Sequence, residues 1–202
     1  MVLARERTCN PVMPICQLSI RDAAARIGDA VHCQAGGTIA VSAALAAALG
    51  QATANATLDS GATVNNATVA GDVQTRLHSA RMRFLELADQ DAGAITEFAG
   101  LRQRGEALRG YALLCDGPRE IGDLAVDAAQ TLQTFRAHVC ERTRDDLEFA
   151  ITLMTGAARA AMQLLDSNMR IWPQPELLAT YQPHVARLVA AVGNLRPVVR
   201  IR

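Results

Sequence analysis

The stretch AGGTIAVSAALAAALG, residues 35–50, decides how the rest of the chain has to fold. Its two glycines predict a turn, and Thr38 is a candidate N-cap because its hydroxyl can accept a hydrogen bond from a free N–H of the following helix. Between Ile39 and Leu49 the only polar residue is Ser42, so this helix is apolar on every side. The sequence therefore predicts a buried central helix, whose small side chains let neighbouring helices approach closely.

The start of this predicted helix is also a candidate ligand site. Free backbone N–H groups and the positive end of the helix dipole favour an anionic or polar ligand there. The alternative interpretation is an ordinary core helix behind a glycine turn. Residues 35–50 alone leave both interpretations open.

The composition of the 202-residue chain indicates a single helical domain. Half of the residues are hydrophobic but only 3% are aromatic, which favours closely packed helices over a sheet. The formal net charge is zero, all 20 basic residues are Arg, and the absence of Lys excludes a lysine-based mechanism. A balanced charge gives no electrostatic case for nucleic acid or an anionic membrane as a partner.

The five cysteines are widely spaced and odd in number, which predicts reduced thiols in a cytoplasmic protein. His32 with Cys33 and His138 with Cys140 are possible half-sites for a metal, but no spacing pairs them, and no metal site is predicted. Residues 1–16 contain two prolines and no apolar h-region, so they predict an irregular arm rather than a signal peptide. Residues 17–202 then form one domain.

Hydrophobic periodicity predicts a series of helices along this domain. They are a helix from the N-cap Ser19 to about residue 32, the buried helix to about residue 58, and helices over about 72–98, 101–114, 118–139, 147–171 and 176–192. Residues 59–71 read as a loop, and residues 116–118 as a stop and restart. We therefore expect an all-α bundle of six to seven helices, with a second Ala-rich buried helix around residues 156–161.

Two carboxylates in the predicted helix over 72–98 are candidates for a site. Asp89 and Asp91 are two residues apart, about 200° around a helix, so they cannot share a face. Asp is a poor helix former in mid-helix, so an inward Asp would need a reason, and a functional site is one. The alternative is that both side chains are solvated.

Four motifs carry a family resemblance. They are AGGT at 35–38, LADQDAGAI at 87–95, GPREIGDLA at 117–125, and ARAA at 158–161 with NMRI at 168–171. In this order and spacing they resemble the cyclodeaminase/cyclohydrolase family of folate enzymes, which includes formiminotetrahydrofolate cyclodeaminase and bacterial methenyltetrahydrofolate cyclohydrolase. The resemblance covers about residues 18–193.

This resemblance implies an all-α cyclodeaminase-like fold, usually a homodimer, that takes a tetrahydrofolate derivative as its substrate and needs no metal. It implies a catalytic carboxylate at Asp91 or Asp89, of which Asp91 is preferred. A carboxylate there can stabilise a cationic amidinium-like carbon, activate water or protonate departing ammonia. The residues implied to bind the substrate are Gly36, Gly37, Thr38 and Asn168.

Two segments of the family pattern are missing from this chain. A lysine-rich segment after the first long helix is replaced by DSGATVNN at 59–66, and an S-D-A-G segment has no counterpart. The sequence therefore leaves three functions open. They are a folate one-carbon enzyme of cyclohydrolase or cyclodeaminase type, a divergent relative whose rebuilt pocket catalyses another reaction in a specialised pathway, and a non-catalytic helical binding or assembly protein.

Overall fold

The fold is an all-α bundle, seen in a computed structural model that describes residues 13–29, 34–171 and 174–201. Within those residues there are six α-helices, two short 3-10 turns (Ile15–Gln17 and Glu141–Thr143) and no strand. The all-α prediction is thereby confirmed. The helices are α1 (Ile20–Gly28), α2 (Ala35–Asp59), α3 (Val64–Gln103), α4 (Ala107–Phe135), α5 (Arg144–Ile171) and α6 (Pro175–Gly193).

The central helix α2 packs along α3 and α5 and also touches α4. Gly50 shows why small residues are needed there, because an added Cβ would lie 2.5 Å from Leu132 Cδ2 and 3.1 Å from Leu77 Cδ1. Both leucines are fully buried. By length and composition alone α2 could also cross a membrane, a property that core helices share.

The glycine pair at the start of α2 lies inside the helix, so the predicted glycine turn is wrong. Gln34 precedes α2, which places Thr38 in the first turn rather than at the N-cap. The Thr38 hydroxyl donates to the Gln34 carbonyl at 2.8 Å, as a threonine within a helix does. Neither Gly36 nor Gly37 has a positive φ, so glycine is required here for space and not for a turn.

The polar segment predicted as a loop over residues 59–71 is largely helical. Only residues 60–63 separate α2 from α3, and Gly61 makes the turn with φ 72°. Thr63 is the N-cap of α3, because its hydroxyl accepts a hydrogen bond from the Asn66 N–H at 3.4 Å. The prediction failed because packing of α3 on α2, with Ala70 fully buried, outweighs the weak helix propensity of Asn and Thr.

The breaks predicted after α3 also differ from the structure. α3 continues to Gln103, and the turn that follows has Gly105 at φ 80°, so the separate helix predicted over 101–114 does not exist. The predicted stop at residues 116–118 is wrong as well, since α4 runs through Pro118 without interruption. A proline inside a helix removes a backbone hydrogen bond and costs about 3 kcal/mol, so a neighbour has to compensate for it.

The second half of the chain follows the prediction more closely. The break near Cys140 is confirmed, and α5 begins at Arg144. Ala150, Ala158 and Ala161 of α5 are fully buried, and this second Ala-rich helix packs on α2 and α4. Its predicted terminator is residues 172–175: residues 172–173 lie outside the described residues, α5 ends at Ile171, and Pro175 begins α6.

The N-terminal segment is described only from residue 13. Ser19 is the N-cap of α1 as predicted, accepting a hydrogen bond from the Asp22 N–H at 3.1 Å. Ile15 is buried and its 3-10 turn packs on α3. The boundary between an arm of residues 1–16 and a domain of residues 17–202 stays a prediction.

Candidate functional site

A cleft of about 770 Å³ opens between the start of α2, the second half of α3, the first half of α4 and the end of α5. Its volume lies within the range of about 300–1,000 Å³ that is typical of small-molecule sites. Most of its walls are apolar. The described residues that line it are Ala35, Gly36, Leu87, Gln90, Asp91, Gly93, Ala94, Ile95, Glu97, Phe98, Ala99, Leu113, Leu114, Asp116, Gly117, Pro118, Glu120, Ile121, Leu164 and Asn168.

Asp91 lies against the first turn of α2. A Cβ added to Gly36 would be 2.2 Å from Asp91 Oδ1, and one added to Gly37 would be 3.5 Å from Oδ2. The carboxylate therefore occupies the space that the two missing side chains leave. The free N–H groups and the positive dipole of the α2 terminus face it.

The Asp91 side chain is half-buried, and its carboxylate lacks a full set of partners. Within the described residues its Oδ2 atom has no hydrogen-bond partner. Burial raises the pKa of Asp91 above the usual range, and the N–H of Gly37 opposes this by favouring the charged form without bonding to Oδ2. A buried acid with a raised pKa that faces a cleft is a candidate for proton transfer.

Asp89 faces a different part of the molecule and does not line the cleft. Its Oδ1 accepts a hydrogen bond from the Cys16 N–H at 3.0 Å, and the Cys16 thiol donates to the Leu85 carbonyl at 3.3 Å. Burial, followed by the hydrogen bond and the charge of Asp89, raises the pKa of the Cys16 thiol to about 11. Asp89 thus binds the N-terminal 3-10 turn to α3, and we assign it a structural role.

Asn168 compensates for the proline inside α4. Pro118 has no N–H to donate to the Leu114 carbonyl four residues earlier, and Asn168 Nδ2 donates to that oxygen at 2.7 Å instead. This bond joins α5 to α4 at the wall of the cleft. Asn168 therefore lines the cleft as predicted from the resemblance, while one of its amide hydrogens already serves the backbone of α4.

Glu120 is held on the α4 side of the cleft by Arg83 of α3. The guanidinium donates to both carboxylate oxygens, at 2.6 Å and 3.0 Å, and a third bond of 2.7 Å reaches Glu86. The hydrogen bonds from Arg83 lower the pKa of Glu120, so this carboxylate is ionised at neutral pH. Two acids of opposite pKa shift, Asp91 and Glu120, thus line one cleft.

Asp116 is fixed at the cleft from α6. The Tyr181 hydroxyl donates to Asp116 Oδ1 at 2.8 Å and lies 3.2 Å from the Ala112 carbonyl. Burial and the bond to Asp116 raise the pKa of Tyr181, so the hydroxyl keeps its proton at neutral pH. Tyr181 is almost fully buried and is a positioning residue for this part of the wall.

The predicted binding residues are thus only partly brought together. Gly36 and Asn168 line the cleft, whereas Gly37 lies beneath the Asp91 side chain, with the Ala88 carbonyl 3.3 Å from its added Cβ. Thr38 is exposed and outside the lining. Because α2 begins at Ala35, Thr38 lies within the helix, on its solvent-exposed side. The expectation that Thr38 contributes to the cleft is corrected on this ground.

Sequence reasoning missed the partners of these acids. Arg83 with Glu120 and Tyr181 with Asp116 join residues that are far apart in the chain, so no local spacing could reveal them. Pro118 was a usable signal, since a proline inside a helix requires a substitute donor. Within the described residues no group of three or more His, Cys, Asp or Glu side chains is placed to hold a metal ion.

The fold and the site define a class of helical protein in which a half-buried carboxylate lines a mostly apolar cleft between helices. Residues 21–186 match the family described as Formiminotransferase-cyclodeaminase, and the chain belongs to that family. The resemblance carried by the four motifs is thereby confirmed.

A solved structure with the same fold is the formiminotetrahydrofolate cyclodeaminase from Thermotoga maritima. The TM-score is 0.82 over 90% of this chain and 93% of that chain, at 15% sequence identity. At so low an identity the similarity establishes the fold alone. A comparison with curated protein sequences finds no match.

Proposed function

We propose that this protein is a folate one-carbon enzyme that acts on C–N bonds of a tetrahydrofolate derivative, with cyclodeamination of a formimino group as its reaction. The observation that carries the proposal is Asp91, a half-buried carboxylate with a raised pKa in a cleft of about 770 Å³. Membership of the cyclodeaminase family supports the folate substrate.

Cyclodeamination suits one carboxyl group that both accepts and donates a proton. The aminobenzoyl nitrogen attacks the carbon of the protonated formimino group, which is carried by a nitrogen of the pterin ring, and the attacking nitrogen loses its proton as the new C–N bond forms. The old C–N bond then breaks, and the departing nitrogen gains a proton and leaves as ammonia. Asp91 would take the first proton and return it to the leaving group, and its raised pKa makes the protonated form accessible nearer to neutral pH. Its anionic form would stabilise the cationic carbon of the product.

An absorbance assay with two substrates tests this proposal. The protein is mixed with 5-formiminotetrahydrofolate while methenyl absorbance and ammonia are followed, and separately with 5,10-methenyltetrahydrofolate to detect cyclohydrolase activity, in which Asp91 would activate water. We expect ammonia release together with a rise in absorbance. If neither folate binds or reacts at high protein concentration, the proposal is wrong. Reaction of the methenyl compound alone would assign a hydrolase instead of a deaminase.

We further propose that the enzyme is a cytoplasmic homodimer, with no nucleic-acid or membrane partner. The free thiols of Cys16, Cys115 and Cys140 support a reducing compartment. Each of α2 and α5 exposes a large apolar side chain, with Leu45 57% and Leu153 55% exposed, and a partner that covers them would bury this apolar surface. Sedimentation of the protein over a range of concentrations tests the dimer, and a monomer throughout would contradict it.

A further inference from the structure

The described part of the cleft lining contains one aromatic side chain, Phe98 in the second half of α3. Its ring is half-buried, whereas the rings of Phe84 and Phe135 are fully buried in the core. Part of the Phe98 ring is therefore open to a ligand in the cleft. Aromatic rings pack on one another in offset-stacked or edge-to-face arrangements, so Phe98 is suited to contact a flat ring.

Contacts with the start of α4 hold the Phe98 ring in place. A Cβ added to Gly110 would lie 2.8 Å from Phe98 Cδ2 and 3.5 Å from Cε2, so glycine at this position admits the edge of the ring. The Tyr111 ring packs beside it, with 5.5 Å between the ring centroids and 40° between the ring planes. The ring is thus positioned before a ligand arrives, which lowers the entropic cost of binding.

Phe98 and Asp91 lie on the same face of α3. Seven residues separate them, which is about two turns of a helix and about 10 Å along its axis. Ala94 and Ile95, between them on this face, also line the cleft. A ligand whose reacting nitrogens lie beside Asp91 can therefore place a neighbouring ring against Phe98.

The two ends of the cleft differ in their exposure to solvent. The buried residues of the described lining are Gly36, Leu87, Pro118 and Ile121. Leu87 lies one turn before Asp91 in α3, on the side away from Phe98. Glu97 and Ala99, the neighbours of Phe98 in the chain, line the cleft and are exposed. The Phe98 end of the cleft is therefore nearer to solvent than the Leu87 end.

We propose that Phe98 binds the aminobenzoyl ring of the folate by stacking and so fixes the direction in which the substrate lies along the cleft. This inference rests on the proposed function and adds a specificity-determining residue to it. The reacting nitrogens lie between the pterin and the aminobenzoyl ring, so with these nitrogens at Asp91 one ring lies toward each end of the cleft.

The charged tail of the substrate decides which ring lies at which end. The glutamate is attached to the aminobenzoyl group, and its carboxylates keep their hydration only where the cleft opens to solvent, since burial of a charge is costly. The aminobenzoyl ring therefore lies against Phe98 at the exposed end, and the pterin lies toward the buried end. The attacking nitrogen is bonded to the aminobenzoyl ring, so stacking on Phe98 also positions this nitrogen.

Calorimetric titration with two matched ligands tests the stacking. One is tetrahydrofolate, and the other is an analogue in which a saturated cyclohexane ring replaces the benzene ring. The analogue keeps the pterin, the glutamate and an apolar ring of similar size, but it has no aromatic face. We define the preference as the ratio of the two Kd values, and we compare this preference between wild type and variants, so that other differences between the ligands cancel.

Phe98→Leu keeps an apolar side chain but removes the ring. We expect the preference for tetrahydrofolate to fall by about 2- to 12-fold, the contribution of an aromatic pair beyond the burial of its surface. Phe98→Tyr retains a ring and should retain the preference. Phe149→Leu is the matched control, because Phe149 is 49% exposed on α5 and lies outside the described lining, and it should behave as wild type.

Gly110→Ala is a second variant that leaves Phe98 itself unchanged. The added methyl group would lie 2.8 Å from Phe98 Cδ2 and displace the ring, so the preference should fall here as well. Gly156→Ala is its control, since no atom lies within 4 Å of the added Cβ and Gly156 lies outside the described lining. If one of the two variants does not fold, the other still gives the answer.

The outcomes separate this inference from the proposed function. A reduced preference in Phe98→Leu or Gly110→Ala supports the inference, even if the wild type shows no turnover and the proposed reaction is wrong. An unchanged preference overturns the inference and leaves the folate enzyme standing. An equal loss of affinity for both ligands also overturns it, because it would place the pterin, which both ligands share, against Phe98. Failure of tetrahydrofolate to bind to the wild type overturns both proposals.

Discussion

Two positions of α2, Gly36 in its first turn and Gly50 in its second half, use a glycine in the same way for opposite purposes. At Gly50 the absent Cβ would lie 2.5 Å from Leu132 Cδ2, so glycine admits a leucine to the core. At Gly36 it would lie 2.2 Å from Asp91 Oδ1, so glycine admits a carboxylate. The first approach buries apolar surface and stabilises the fold, whereas the second buries an acid and costs stability.

The polar groups along α2 also differ between these two regions: those in its second half are neutral, whereas the group against its first turn is a carboxylate. In the second half of α2, the Thr57 hydroxyl accepts a hydrogen bond from the Cys140 N–H at 3.0 Å and donates to the Thr53 carbonyl at 2.9 Å. Gln51 Oε1, unpartnered among the described residues, belongs to a neutral amide, whose burial costs less than that of a charge. At the cleft the unpartnered atom is a carboxylate oxygen of Asp91. The comparison teaches that the second half of α2 stabilises the fold, whereas its first turn contacts the candidate catalytic acid.

The largest expected effect comes from removing the acid at the cleft end. Asp91→Asn should lower kcat/KM by about 10²–10⁴-fold, the usual contribution of a general acid–base group. The free energy of unfolding at neutral pH should stay the same or increase, because a neutral amide replaces a buried acid. Steady-state kinetics and urea denaturation measure the two quantities.

Asp89→Asn is the control for this substitution, since Asn can still accept the hydrogen bond from Cys16 and the residue lies outside the cleft lining. It should retain activity. If Asp89→Asn abolished turnover while Asp91→Asn did not, the assignment of the catalytic carboxylate would be reversed.

Adding one methyl group to each glycine tests the comparison directly. Gly50→Ala should destabilise the protein by about 1–3 kcal/mol, as overpacking of a core does, with little change in kcat/KM. Gly36→Ala should instead displace the Asp91 carboxylate and lower activity by a larger factor than it lowers stability. Thermal unfolding and the cyclodeaminase assay on both variants measure the contrast.

Gly93→Ala is the matched control, because Gly93 lines the cleft and no atom lies within 4 Å of its added Cβ. Alanine is favoured over glycine in a helix by about 0.8–1.0 kcal/mol, so this variant should be more stable and remain active. Equal loss of activity in Gly36→Ala and Gly50→Ala would remove the distinction between the first turn and the second half of α2.

A double-mutant cycle tests whether the hydrogen bond from Asn168 to the Leu114 carbonyl stabilises the wall of the cleft. Asn168→Leu removes the donor to the Leu114 carbonyl and should cost about 1–3 kcal/mol, the penalty for an unsatisfied buried acceptor. In the Pro118→Ala background residue 118 regains its N–H, so the same change should cost about 1 kcal/mol less. Urea denaturation of the four proteins measures this coupling, and additive costs would show that the bond does not compensate for the proline.

The smallest expected effect is a pH dependence of stability. Because burial raises the pKa of Asp91, its contribution to stability falls as pH rises from the ordinary value of about 3.9 through the raised one. Glu120 acts in the opposite sense, since its lowered pKa gives a contribution that is lost as pH falls. The stability of Asp91→Asn relative to wild type should therefore rise with pH across that window and then level off. A flat difference between the two unfolding curves would contradict the burial of the acid.

The fold was predictable where the composition or the hydrophobic periodicity of one segment decides whether it forms a buried helix. The Ala-rich composition of α2 and α5 and the apolar stripe of α3 indicate buried helices, and packing confirms them. The extent of α3 and α4 was not predictable in this way. Residues 64–71 and 116–118 have the composition of turns, but they are helical because they pack against other helices.

The site was predictable only in outline. Helical geometry separates Asp89 from Asp91, and the family motifs indicate Gly36 and Asn168. Neither reveals that both glycines lie inside α2. Gly36 is needed because Asp91 of α3 occupies the space where a Cβ would be, and this contact between two helices cannot be seen in the sequence. The partners Arg83 and Tyr181 depend on how distant helices pack, which the spacing of residues in one chain does not encode.

The proline inside α4 has a consequence for how this chain can change over evolutionary time. Pro118 makes the Leu114 carbonyl depend on Asn168, a residue of another helix. The two positions are therefore expected to change together: a relative that has lost the proline is free to replace the asparagine, whereas one that keeps the proline is not. A proline paired with a distant amide in this way would identify relatives that share the cleft wall even where their overall sequence identity is low.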